Sequence, residues 1–275
     1  MLNSKSNETV KILASLKDKK YREKHLKYII EGVKIVGEMM DLEGILPSES
    51  IVYSADMLEQ VAGGEQLLER IRKSKLHVIE VSRDVFKYIS DTESPQGVLC
   101  VKNIPAISEE EKLEVISNMI KLDKRFLVLD KVQDSGNLGT IVRSAVTFGI
   151  DCIICIKGTT DIYSPKVVRS TMGALEKVKA IYLDMAQYEE VTKLLKEMGY
   201  VIASTELSAK KYLSELDYSK NIVFVMGNEA NGVSEKAHKL CTEYIKIPIS
   251  DAQESLNVAV ATGICLYSLY ANNKK

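Results

Sequence analysis

The chain has 275 residues, with 45% hydrophobic and 27% charged residues, which suits a soluble protein of two domains at roughly 100–200 residues each. The net charge is −1, so overall charge gives no argument for a nucleic-acid partner. The first ten residues are polar and lack a signal-peptide core, and no apolar run approaches the roughly 18 residues of a membrane span. The five cysteines, Cys100, Cys152, Cys155, Cys241 and Cys265, are an odd number, which fits reduced thiols in the cytoplasm.

The first block runs from about residue 10 to 103. It opens on a charge cluster in which Lys11, Lys17, Lys19, Lys20, Arg22, Lys24 and Lys27 face only Asp18 and Glu23, a local balance of +5 (seven minus two). Such clusters are ordinarily solvated helix faces; the functional reading is a phosphate-contacting arm. Short apolar runs predict strands at 28–30, 45–53, 76–81 and 98–101, with helices at 33–42 and 66–72. Strands alternating with helices predict βαβ units. Pro105 breaks the pattern, and Ser108 followed by Glu109, Glu110 and Glu111 reads as an N-cap with an acidic first turn, opening a linking helix over 109–120.

The second block begins at Phe126. Near-continuous apolar runs predict buried parallel strands at 126–129, 150–156, 200–203, 222–226 and 244–249. Helices are predicted at 138–148, 166–173, 188–198, 235–240 and 256–270. Neither block contains a GxGxxG fingerprint or a phosphate-binding GxxxxGK[ST] loop. His25, His77 and His238 are too scattered for metal-ligand spacing, so no metal is expected. The Cys152–Cys155 pair lies in a predicted strand, where residues three apart point to opposite faces, so the two thiols read as buried hydrophobes.

The remaining chemistry sits in loops after second-block strands, where open α/β sheets bind ligands. One loop carries Asn137-Leu138-Gly139 with Arg143 a turn further on. A second reads Gly227-Asn228-Glu229-Ala230-Asn231-Gly232. A third follows Ile247-Pro248 through residues 250–254 to Ser255-Leu256-Asn257-Val258. In this order and spacing, the motifs resemble those of the SpoU/TrmH branch of the SPOUT methyltransferases over residues 123–275. Ala230 is the small departure, standing where glycine is frequent. Residues 15–22, 29–32 and 95–97 resemble the N-terminal domain of two-domain SpoU enzymes, itself similar to ribosomal proteins that bind kinked RNA.

The resemblance implies an α/β fold: a C-terminal parallel sheet with helices on both faces and a trefoil knot, behind a smaller N-terminal α/β domain. It implies domains at 1–105 (RNA substrate binding) and 123–275 (methyltransferase), joined by a linker helix at 106–122. It implies S-adenosylmethionine as cofactor, held by Thr205, Gly227, Ile247 and Leu256, and a homodimer with the active site near the subunit contact. The activity implied is methylation of a ribose 2′-hydroxyl in structured RNA, with 23S ribosomal RNA favoured by the extra domain, and with RNA met by Lys17, Lys19, Lys20 and Arg22. A guanidinium only donates, so Arg143 is expected as a charge clamp on phosphate and developing alkoxide rather than as the base. Glu229 is expected to orient Arg143 or a water, and Asn137, Ser255 and Asn257 to fix the ribose and the loop. A tRNA 2′-O-methyltransferase and a catalytically silent RNA-binding protein of this fold stay open. So does a generic nucleotide-cofactor enzyme, although the absent glycine fingerprint weighs against it.

Overall fold

The computed structural model describes residues 1–250 and 255–272. The chain divides into two compact units: Met1–Ala106 with Tyr163–Gly173, and Ile107–Ile162 with Ala174–Lys275.

In the first unit, α1 (Glu8–Ser15) starts at Asn7, whose side chain accepts from the Thr9 and Val10 amides. Then come α2 (Lys19–His25), β1 (Lys27–Glu31), α3 (Val33–Asp41), β2 (Ser50–Tyr53), the single turn α4 (Ala55–Leu58), α5 (Gly64–Lys73), β3 (Val78–Glu80), α6 (Arg83–Ile89) and β4 (Val98–Asn103). The sheet order is β1-β4-β2-β3. β4 runs antiparallel to both neighbours, and only β2 and β3 are parallel. The expected βαβ units therefore give way to a mixed sheet, because β4 returns between the first two strands. Val10, Leu13, Phe86, Ile89 and Leu99 belong to its core. A buried ion pair braces one end. Lys102 Nζ lies 2.7 Å from Glu49 Oε2, with side chains 7% and 2% exposed. The same ammonium donates to the Gly44 carbonyl, and Glu49 also accepts from the Leu46 and Asn103 amides.

The second unit opens with α7 (Glu109–Lys121), capped by Ser108 and Glu111 in a reciprocal box. This helix is not a free connector: Ile116 and Ile120 are buried in the second unit's core with Phe126, Val191 and Ile202. After it come β5 (Phe126–Asp130), α8 (Ser135–Thr147) and β6 (Cys152–Ile156). The chain next contributes α9 (Pro165–Thr171) to the first unit, where it packs on β1. Tyr163 sets its ring 4.9 Å from that of Tyr28, and Arg169 pairs with Asp91 at 2.9 Å. The second unit resumes with β7 (Lys179–Leu183), α10 (Met185–Glu197), β8 (Val201–Thr205), β9 (Lys211–Tyr212), β10 (Ile222–Met226), α11 (Glu235–Leu240), β11 (Glu243–Lys246) and α12 (Val258–Asn272).

Its seven strands lie in the order β7-β6-β5-β10-β8-β11-β9, all parallel. β5, β6 and β10 are buried along their whole length, as parallel strands covered on both faces require. Cys152 joins Ile154 and Ile156 in one core cluster. Cys155, one face away, is fully buried, and burial pushes its thiol up to about 12. All five cysteines are buried. Among the described residues, no helix is long and apolar enough to cross a membrane.

Candidate cofactor and catalytic site

The carboxyl ends of β5, β8, β10 and β11 converge on one region. Beyond β10, residues 227–234 form a tight loop closed by paired backbone hydrogen bonds between Asn228 and Gly232, both 2.9 Å. The Asn228 side chain accepts from the Ala230 and Asn231 amides and donates to the Lys131 carbonyl. A Cβ at Gly227 would sit 2.1 Å from the Gly232 carbonyl carbon and 2.2 Å from the Val233 nitrogen, so only glycine fits. Gly232 takes the left-handed φ of 65°. Ala230 is not among the residues with positive φ, which is why its methyl group is accommodated.

The loop borders a cavity of about 580 Å³, inside the usual range for small-molecule sites. Thr205, Gly227, Ile247 and Leu256, the four residues expected to hold the cofactor, all line it, and so do Glu229 and Ser255. The walls fit an adenosyl group. Met226, Ile247, Ile249 and Leu256 supply apolar surface, and Gly227 leaves main chain within reach of a purine. The expected loop residues 251–254 lie outside the described residues.

The three motifs meet in one polar chain. Glu229 Oε1 accepts from the Asp134 amide and from Asn137 Nδ2, both at 3.1 Å. Its Oε2 accepts from the Gln133 amide at 3.3 Å and from Asn228 Nδ2 at 3.4 Å. Asn137 Oδ1 accepts from Asn257 Nδ2 at 2.9 Å, and Asn257 Oδ1 caps α12 through the Ala259 and Val260 amides. Burial alone would raise the Glu229 carboxyl, but the hydrogen bonds from Asn137 and the loop amides outweigh it and hold the group below the usual glutamate range.

Glu229 thus clamps the β5–α8 loop to the β10 loop. Glu229 was expected to orient Arg143 or a water; in this structure its two oxygens accept from the two loops, and no hydrogen bond joins it to Arg143 among the described residues. Arg143 stands exposed on α8, its guanidinium without a protein partner among the described residues, and it does not line the cavity. Ser255 is exposed at the cavity rim.

Among the expected RNA-binding residues, Lys19 and Lys20 stand exposed, and Lys17 is half-buried with Nζ donating to the Tyr88 carbonyl at 2.9 Å. Arg22 departs from the arm reading. It is 4% exposed, and Nη1 donates to the Leu16 and Lys17 carbonyls. It ties α2 to the end of α1 instead of facing solvent.

Three residues escaped the sequence reading. Asp130, fully buried at the end of β5, accepts the Ser234 amide at 2.6 Å and so anchors the far end of the 227–234 loop. Glu206 and His238 line the cavity and pair at 2.8 Å. A polar residue closing or following an apolar strand was the available signal for Asp130 and Glu206. Nothing in the sequence pointed to His238.

A parallel sheet whose strand ends carry a cavity large enough for a nucleoside cofactor, glycine-lined and walled by aliphatic side chains, defines an α/β enzyme of the nucleoside-cofactor type. The chain belongs to the SpoU rRNA methylase family, whose profile matches residues 124–267, and residues 7–100 match the MRM3-like substrate binding domain. It is 29% identical over 268 residues, 98% of each chain, to the 23S rRNA (guanosine(2553)-2′-O)-methyltransferase RlmP of Bacillus subtilis. It is 30% identical to the 23S rRNA (guanosine-2′-O-)-methyltransferase RlmB of Coxiella burnetii, over 74% of this chain and 81% of that one. Among solved structures, the AdoMet-bound rRNA methyltransferase from Sinorhizobium meliloti superposes with a TM-score of 0.78 at 28% identity, covering 98% of this chain and 97% of that chain.

Proposed function

We propose that the protein transfers a methyl group from S-adenosylmethionine to a ribose 2′-hydroxyl of large-subunit ribosomal RNA. The observation that carries this is the convergence of Thr205, Gly227, Ile247 and Leu256 on one cavity, beside the hydrogen-bonded chain Glu229–Asn137–Asn257. When bound, the cofactor supplies an electrophilic methyl on a sulfonium. Gly227 and the apolar walls seat the adenosyl group. Glu229 holds the first two motifs together, and Asn257 links them to α12. Arg143, with its guanidinium unspent, clamps the substrate phosphate and the developing negative charge.

Arg143 lies away from its own chain's cavity, so the reading includes a symmetric dimer in which the site is completed across the subunit contact. Val260, Ile264 and Tyr267 support this: they form one stripe on α12, exposed at 51%, 36% and 59%. The C-terminal segment is read as threaded into a trefoil knot, and the protein as cytoplasmic. Lys19 and Lys20, with the neighbouring exposed Lys24, are read as the phosphate-contacting face of the first unit. The test is incubation with labelled methyl donor and total RNA, then mapping of 2′-O-methyl positions in a deletion strain. Label is expected in one large-subunit rRNA position. Label confined to tRNA, or none, refutes the reading.

A further inference from the structure

Of the two carboxylates among the described residues that line the cavity, Glu229 has both oxygens engaged by the loop it clamps. Glu206 is different. It is the first residue beyond β8, and its backbone is fixed by hydrogen bonds to the Ile245 carbonyl and from the Ala209 amide. Its Oε2 meets His238 Nε2 at 2.8 Å, and no hydrogen bond involves Oε1 among the described residues. The imidazole is itself held: it stacks on Tyr244 with centroids 4.3 Å apart and planes 22° apart, and Tyr244 Oη donates to the His238 carbonyl. Glu206 and His238 side chains are 30% and 36% exposed. A braced carboxylate therefore faces a ligand cavity with acceptor capacity to spare.

We propose that Glu206, positioned by His238, accepts hydrogen bonds from the ribose hydroxyls of the cofactor and sets the affinity of the site for the nucleoside. The inference rests on the reading of this cavity as the cofactor site. Three observations favour a ribose over the amino-acid tail or the purine. Ile247 and Leu256 provide an apolar slot for the base next to the glycine loop. Glu206 lies at the end of a parallel strand, the place from which an acidic side chain takes a ribose diol in other nucleotide-binding sheets. A carboxylate oxygen accepts from a hydroxyl without competing for the main-chain groups a purine needs.

The test uses the full-length protein and its Glu206→Ala, Glu206→Gln and His238→Phe variants. Calorimetric titrations use S-adenosylhomocysteine, 5′-methylthioadenosine, and the 2′-deoxy and 3′-deoxy forms of the latter. Methylthioadenosine keeps the ribose but lacks the amino-acid tail. Glu206→Ala should weaken both parent ligands equally, by roughly 10- to 100-fold, the scale of hydrogen bonds to a charged group. Removing a ribose hydroxyl should cost the wild type a similar factor, and the alanine variant less than about twofold, because the partner is already gone. Glu206→Gln keeps the volume and one acceptor, so it guards against misfolding and should lose about 5-fold. His238→Phe keeps the ring stack without the N–H and should lose less than Glu206→Ala.

Unchanged methylthioadenosine affinity in Glu206→Ala, with weakened S-adenosylhomocysteine binding, would place the carboxylate on the amino-acid tail and overturn the proposal. So would a hydroxyl deletion that costs the variant as much as the wild type. If the wild type binds both parent ligands, such results leave the cofactor cavity standing; if it binds neither, both readings fall together.

Discussion

Replacing Glu229 by alanine removes a side chain that bonds both the 133–137 loop and the β10 loop through one group. Four hydrogen bonds go with it, two at 3.1 Å and two at 3.3 and 3.4 Å. The carboxylate is solvent-exposed, so water competes and each short bond is worth about 1 kcal/mol, below the usual range for a charged acceptor, while the long ones add little. The sum, about 2 kcal/mol, corresponds to roughly a 30-fold shift away from the ordered loop pair. The cavity is bounded by that loop, so calorimetric cofactor affinity should fall by up to that factor. Glu229→Gln keeps one acceptor and should lose about half the free energy, roughly 5-fold. The pH response follows from the sign of the shift. A carboxyl held below its ordinary value stabilises fully above the unfolded value of about 4.3 and loses that contribution as pH falls through the folded value. Affinity in the wild type should therefore be insensitive to this group at neutral pH and fall only in acid. An alanine variant with wild-type cofactor affinity and an unchanged melting temperature would refute the clamp.

Gly227→Ala should abolish cofactor binding with little change in far-ultraviolet circular dichroism, since its Cβ meets loop backbone at 2.1 Å; retained affinity would show the loop is not rigid. Glu49→Gln should destabilise the first unit by up to roughly 3–5 kcal/mol by removing the buried carboxylate opposite the Lys102 ammonium, whereas the double variant Glu49→Leu with Lys102→Met should be far milder, as thermal melts would show. Lys19, Lys20 and Lys24 changed together to alanine should lower RNA affinity, flattening its salt dependence by about 0.7–0.9 in slope per lost phosphate contact. Arg22→Ala should instead lower the melting temperature. Arg143→Ala should leave cofactor affinity intact while cutting turnover by roughly 100-fold or more, with poor rescue by lysine; near-normal turnover refutes the role given to it.

Strongly apolar elements announced themselves. The run 222–226 is β10, and 235–240 is α11, both at the expected bounds. β7 was missed because its burial alternates, with Lys179 exposed and Tyr182 only half-buried, so no continuous run marks it. β9 is two residues long and invisible to any periodicity. α1, α2 and α6 are short, and α2 is almost wholly charged, which hid the burial of Arg22 inside a run that reads as solvated. The residues that line the cavity were legible because loop glycines and strand ends carry their own signal. The Glu229 partners were not, since residues about 95 positions apart meet only through the sheet order. The placement of β4 between β1 and β2 was hidden for the same reason.

The first unit is discontinuous: α9, encoded between β6 and β7, completes it by covering β1. A nascent chain therefore cannot finish this unit when residue 106 leaves the ribosome. Its last helix arrives only after β5, α8 and β6 have emerged, so β1 stays without its cover for some 60 further residues, several seconds at typical rates of synthesis. The same interleaving bars the unit from being exchanged as a simple cassette. Any recombination between relatives that cuts at residue 106 separates the sheet from its eleven-residue insert, and the hybrid must supply a matching segment from the second half of the gene.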